Sequence, residues 1–160
     1  MKTIFLTIIL FFVLGCGYKP SNVYIKDKFG DKISVTVDMF SSEPESSVNI
    51  KDLINQALIN KIGMRIDNTS STKLIIHPED VKFEAIQKDN MGYTISYRAI
   101  LKLNTEVIKD GSKRLITSYG NYDFNVQSNS SISEQNRYDA IKKSSIKAVD
   151  ELLFKLSLER

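Results

Sequence analysis

Cysteine and histidine occur once each in 160 residues, tryptophan is missing, and there are only three prolines and seven glycines. One cysteine, Cys16, excludes an internal disulfide framework and a zinc site built from several thiolates. One histidine, His77, excludes a His-based catalytic or metal cluster within the chain. So few glycines and prolines leave no room for a long linker or a Gly-rich phosphate loop. The formal net charge of +3 is too small over this length to argue for nucleic acid. What remains, 42% hydrophobic and 26% charged, is the composition of an ordinary single globular domain. Its reactive side chains do not converge. His77 stands beside Glu79 and Asp80 around Pro78, without the spacing of a facial metal triad. Asp150 and Glu151 are adjacent on a helix and point different ways. The serines lack a histidine base and a nucleophile elbow, and Lys142-Lys143 reads as solvated helix surface, with contact to an acidic partner as the alternative. No enzyme, metal or bound cofactor is expected.

Long apolar runs are confined to one place. Met1-Lys2-Thr3 leads into an almost unbroken aliphatic and Phe stretch, Ile4 to Leu14, too short to span a bilayer as a helix. A basic start, a short apolar core and a small residue at a boundary describe an export signal. The boundary, Val13-Leu14-Gly15-Cys16, resembles the lipobox of bacterial lipoproteins. That resemblance implies a signal peptide over residues 1–15, cleavage before Cys16, a diacylglycerol on its thiol and a new amine open to a further acyl chain. Two or three chains, at about 0.8 kcal/mol per buried methylene, hold a soluble domain stably where one would not. Gly17 stands where an Asp would resemble an inner-membrane retention signal, so outer membrane is the expectation. Residues 16–30 then form a lipidated tether and residues 31–160 one domain.

Periodicity supplies the rest. Ile33 to Val37 alternates as a half-buried strand. Ser41 to Ser46 is a polar loop, after which Ile50, Leu53, Ile54, Ala57, Leu58 and Ile62 share a helical face. Asn49 is the expected N-cap, Val48 and Leu53 a hydrophobic staple, and Gly63 the stop. Leu74 to His77 and Val81 to Ile86 make one extended stretch broken by Pro78, which places it at an edge or a bulge. After the turn Asp89-Asn90-Met91-Gly92, a long strand turns Tyr93, Ile95, Tyr97, Ala99, Leu101, Leu103 and Val107 inward. Asp110-Gly111 is a tight hairpin, and Ile116, Tyr122, Phe124 and Val126 return inward, with Gly120 marking close packing or a bulge. Ser131-x-x-Glu134 is a capping box for a last helix with Tyr138, Ile141, Ser145, Ala148, Leu152 and Leu156 on its buried stripe. The expected fold is an α+β two-layer sandwich, two helices on one face of a four-stranded, mostly antiparallel sheet in the order β-α-β-β-β-α.

The other face of that sheet carries Thr94, Ser96, Arg98, Ile100, Lys102, Asn104 and Glu106 on one strand and Thr117, Tyr119, Asn121, Asp123 and Asn125 on the next. One reading is a wetted antiparallel face. The other is a polar face packed inside another protein, where Ser, Thr, Asn and Tyr hydrogen-bond without the desolvation cost of many bare charges.

Cys16-Gly17-Tyr18-Lys19-Pro20 after the lipobox resembles the mature start of the lipopolysaccharide-assembly lipoproteins, the LptE family. In order along the chain follow Val48-Asn49-Ile50-Lys51-Asp52, Gly92-Tyr93-Thr94-Ile95-Ser96-Tyr97-Arg98-Ala99, Gly120-Asn121-Tyr122-Asp123-Phe124 and Arg137-Tyr138-Asp139-Ala140-Ile141. The set is most similar to the short, epsilonproteobacterial-type branch. The resemblance implies a lipid-anchored plug that helps assemble the large outer-membrane β-barrel inserting lipopolysaccharide into the outer leaflet. It implies Lys88, in the turn before the long strand, as a lipopolysaccharide contact, while no second basic residue stands between Ser131 and Asn136. Arg98, Lys102, Tyr119 and Asn121 are the expected barrel-facing surface. The alternative is a free-standing, periplasm-facing lipoprotein binding a small apolar ligand or an envelope protein.

Overall fold

The computed structural model describes residues 21–38, 44–127 and 131–158. Cys16, the signal segment and residues 17–20 of the tether lie outside the described residues. The chain runs α1 (Ser21–Phe29), β1 (Lys32–Val37), α2 (Pro44–Lys61), β2 (Arg65–Ile66), β3 (Lys73–Pro78), β4 (Lys82–Lys88), β5 (Thr94–Lys109), β6 (Ser112–Asn125) and α3 (Glu134–Leu158). The α+β class is as expected, but among the described residues the layers hold six strands and three helices in place of four and two.

Each addition has a cause. Pro78 has no N–H to donate, so the ladder stops there and resumes at Lys82; β3 and β4 lie end to end on one edge of β5, with Pro78 opposite Leu103 and Lys82 opposite Ile100. Arg65 and Ile66 add a two-residue parallel strand to β1 as the chain leaves α2. Residues 21–29, assigned to the tether, are helical because Ile25 and Phe29, four apart, bury one face against α3. β1 and β3 are parallel, as a crossover through a helix requires, and β6 pairs along the whole of β5 across the Asp110-Gly111 turn, where both residues have positive φ.

The helices cover one face. α3 crosses β6 and β5, with α1 and α2 beside it, and the core includes Ile33, Ile54, Leu58, Leu101, Leu103, Leu152 and Leu156. Gly120 decides how close α3 comes: a Cβ there would overlap the Ser144 carbonyl and stand 2.5 Å from the Ala148 nitrogen. The small residues Ser144, Ser145 and Ala148, all fully buried, form the helix side of that seam. Tyr138 is not on the buried stripe; it is 43% exposed, because the face is centred on Ala140, Ile141 and Ser144.

Both expected helix starts move. α2 begins at Pro44, so Asn49 lies inside it; a proline at the first helical position has the right φ and lacks an N–H that would be unpaired anyway. α3 is capped by Ser133, whose Oγ accepts from the Asn136 N–H at 3.2 Å, and not by Ser131.

Asp67 closes the turn after β2. Its Oδ1 accepts from the Thr69 hydroxyl at 2.7 Å and the Thr69 N–H at 3.0 Å, and Lys32 Nζ lies 3.2 Å from Oδ2. The Thr69 hydrogen bonds, aided by Lys32, pull the carboxyl from 3.8 down to about 2. A carboxyl depressed in the folded state stabilises fully above its ordinary value and loses that contribution as pH falls toward about 2. Urea midpoints followed between about pH 5 and pH 2 should therefore fall less steeply for Asp67→Asn than for the parent chain. Equal slopes would contradict the assignment.

Candidate functional site

Alternation along β5 and β6 decides which side chains meet on the outer face. From Arg98 onward β5 presents its even-numbered residues outward and β6 its odd-numbered ones, so Arg98 stands opposite Asp123, Ile100 opposite Asn121, Lys102 opposite Tyr119 and Asn104 opposite Thr117. Ser96, expected on the same face, is buried, its Oγ donating to the Phe124 carbonyl at 3.2 Å. The four residues expected to face a partner, Arg98, Lys102, Tyr119 and Asn121, are thus brought together on two adjacent strands.

Charges on this face are already partnered. The Arg98 guanidinium donates from Nε to Asp123 Oδ1 at 2.7 Å and from Nη2 to Oδ2 at 2.8 Å, a two-pronged cross-strand pair. Lys102 Nζ donates to Glu79 Oε1 at 2.6 Å; Asn104 Nδ2 donates to the same oxygen at 3.0 Å, and Asn104 Oδ1 accepts from the Thr117 hydroxyl at 3.2 Å. Glu79 reaches this position because its own N–H donates to the Lys102 carbonyl at 2.9 Å, just past Pro78. Farther along, Lys113 Nζ lies 2.8 Å from Glu106. The Arg98 hydrogen bonds hold the Asp123 carboxyl below its ordinary value, and the Lys102 hydrogen bond does the same for Glu79. Glu79 therefore serves Lys102 and Asn104, while His77 lies opposite Asn104 in register. No group of three potential metal ligands occurs among the described residues. Around these pairs the face offers Tyr119, Asn121 and the 66%-exposed Leu115, which the sequence pattern did not single out.

Lys88 lies elsewhere. It ends β4 opposite Thr94, four residues along β5 from Arg98, or about 13 Å at the rise of a strand. Its hairpin is tied by Asp89, whose Oδ1 accepts the N–H groups of Met91 and Tyr93 at 2.9 Å each. Ile86, Met91 and Tyr93 are exposed around it, so the tip is more apolar than a basic turn alone. Alternation assigns Tyr93 inward, whereas it is 43% exposed.

On the helix side, Lys143 is not simply solvated: its Nζ donates to the Tyr122 hydroxyl at 2.8 Å and lies 4.5 Å from the ring centre. Tyr122, Phe124 and Tyr97 stack in series at 6.3 and 6.1 Å, with Phe83 edge-on to Phe124. No helix of the described residues is long and apolar enough to cross a membrane.

No protein-family model matches the sequence, and no curated protein matches it. Solved structures do match the fold. The crystal structure of rare lipoprotein B from Shewanella oneidensis superposes with a TM-score of 0.57 at 12% identity, over 79% of this chain and 93% of that one. A candidate lipoprotein from Caulobacter crescentus CB15 superposes with a TM-score of 0.51 at 11% identity, over 86% of this chain and 92% of that one. At such identities the likeness is one of fold alone, shared with two proteins described as lipoproteins.

Proposed function

We propose that this chain is a lipid-anchored outer-membrane protein that docks within the large β-barrel passing lipopolysaccharide to the outer leaflet. It assists that barrel's assembly and performs no catalysis. Its only prosthetic groups in this reading are the acyl chains on Cys16, and its domain sits on the periplasmic side of the membrane or in the barrel lumen. The observation that carries the reading is the pre-paired outer face. Burying bare charges against a partner is costly, whereas Arg98–Asp123 and Lys102–Glu79–Asn104–Thr117 enter as neutral hydrogen-bonded units. Tyr119 and Asn121 remain to bond a polar wall, and the interior of a membrane barrel is such a wall. The lipobox at Cys16 and the fold shared with rare lipoprotein B support the same reading.

Lys88 is the lipopolysaccharide contact in this scheme, an ammonium point charge for lipid A phosphate with Ile86, Met91 and Tyr93 exposed beside it. Depleting the protein should lower the abundance of the folded barrel and raise permeability to large hydrophobic drugs. Lys88→Glu should weaken lipopolysaccharide binding to the purified chain by about tenfold while leaving barrel abundance unchanged. An unchanged barrel and an intact barrier after full depletion would end the translocon reading; unchanged binding by Lys88→Glu would end the contact assignment.

A further inference from the structure

The outer edges of the sheet are not treated alike. β6 is covered where α3 crosses it: Lys155 Nζ donates to the Thr117 carbonyl at 2.6 Å, and Glu151 accepts the Tyr119 N–H at 2.6 Å. The two side chains pair at 2.7 Å, so together they occupy a rung that another strand would use. β4 carries register shifts between Ala85 and Gln87 and between Gln87 and Lys88, which break the even spacing a neighbouring strand needs. β1 has neither protection.

β2 pairs with Lys32 and Ile33 alone. Ser34 and Asp38 donate their N–H groups toward the β3 side, to Thr72 at 2.9 Å and Ile76 at 2.8 Å, while Ile33 accepts from Asp67 on the other side at 2.9 Å. Alternation along the strand then turns the N–H and C=O groups of Val35 and Val37 to the outer edge, where no strand among the described residues pairs with them. Beside that edge runs a groove of about 540 Å³, formed by β1 together with Lys51 and Asn55 of α2, and with Asn68 and Lys73. Among the described residues, two lysines and two amides line it and no carboxylate does.

We propose that the β1 edge accepts an extended acidic polypeptide segment as an added strand. Its backbone pairs with Val35 and Val37, and its carboxylates meet Lys51 and Lys73. A strand edge facing a helix across a groove is the geometry by which sheets take up peptides: main-chain hydrogen bonds supply affinity and the flanking side chains choose the sequence. The open stretch has room for three or four residues, about 10–13 Å of extended chain. The outer face of β5 and β6 is not used, so this docking is independent of the barrel reading.

The test titrates the full-length, ¹⁵N-labelled chain in detergent with a blocked Val-Glu-Glu-Glu-Val peptide, whose successive carboxylates point to both faces of the added strand, and separately with its Val-Lys-Lys-Lys-Val counterpart. The acidic peptide should shift the Val35 and Val37 amide signals and bind at least about tenfold more tightly than the basic one. Lys51→Glu combined with Lys73→Glu, both exposed and outside the core, should reverse that preference. Methylating the peptide's backbone nitrogens on the pairing side should abolish binding. No binding at millimolar peptide, equal binding of both peptides, or shifts confined to other surfaces would each overturn the proposal.

Discussion

Gly120→Ala should cost at least about 3 kcal/mol, and Gly120→Val should leave most of the chain unfolded or with α3 displaced from the sheet. The reason is what the added carbon meets. It is the backbone of α3, with the Ser144 carbonyl overlapped and the Ala148 nitrogen 2.5 Å away, and not the end of a flexible side chain that could turn aside. The helix can relieve the overlap only by lifting, and lifting it uncovers Ile141, Val149, Leu152 and Leu156 together. Ser118, two residues back on the same inner face, makes the contrast. Its hydroxyl is fully buried and has no hydrogen-bond partner among the described residues, so Ser118→Ala should fall within about 1 kcal/mol of the parent chain or above it. Urea midpoints of the variants separate the cases. A Gly120→Ala midpoint equal to the parent's would mean that α3 does not sit on the β6 backbone.

Cys16→Ser should abolish acylation altogether. No other cysteine exists in the chain to take a diacylglycerol, and a hydroxyl in its place does not supply the thiolate nucleophile. Without two or three acyl chains, each contributing about 0.8 kcal/mol per buried methylene, the chain would lose its lipid anchor, and no helix among the described residues is long and apolar enough to cross a membrane. Cells fed labelled palmitate should show label in the parent protein and none in the variant, which should remain as an uncleaved precursor. Normal labelling of Cys16→Ser would contradict the lipoprotein assignment.

Legibility followed the length of the pattern. β5 and β6 could be read because burial alternates without a break from Ala99 to Val107 and from Ile116 to Asn125, and a two-residue turn sets their register. Leu53 and Leu152 sit in buried stripes as the 3.6-residue period requires. Short signals failed. Among the described side chains of α1 only Ile25 and Phe29 are buried, and β2 has two exposed residues, too few for any period to show. In a run of serines each one is an equally good cap by composition, and only the path of the chain selects Ser133 over Ser131. At the candidate site, alternation placed Arg98, Lys102, Tyr119 and Asn121 on one face. It could not show that Arg98 and Lys102 are spoken for, since Asp123 is 25 residues from Arg98 along the chain and Glu79 is 23 from Lys102. That pairing is a property of strand register, and it is what turns a wetted face into one that can be buried.

The most direct test of the account is to ask which face meets the partner. A photo-crosslinking amino acid placed singly at Tyr119, at Asn121 and, on the opposite layer, at the exposed Asn60 of α2 reports the neighbour in living cells. The account predicts that Tyr119 and Asn121 crosslink to one large outer-membrane β-barrel, identified by mass spectrometry of the adduct, and that Asn60 does not. Crosslinks to such a barrel from Asn60 alone, or from none of the three positions, would contradict docking through the paired sheet face.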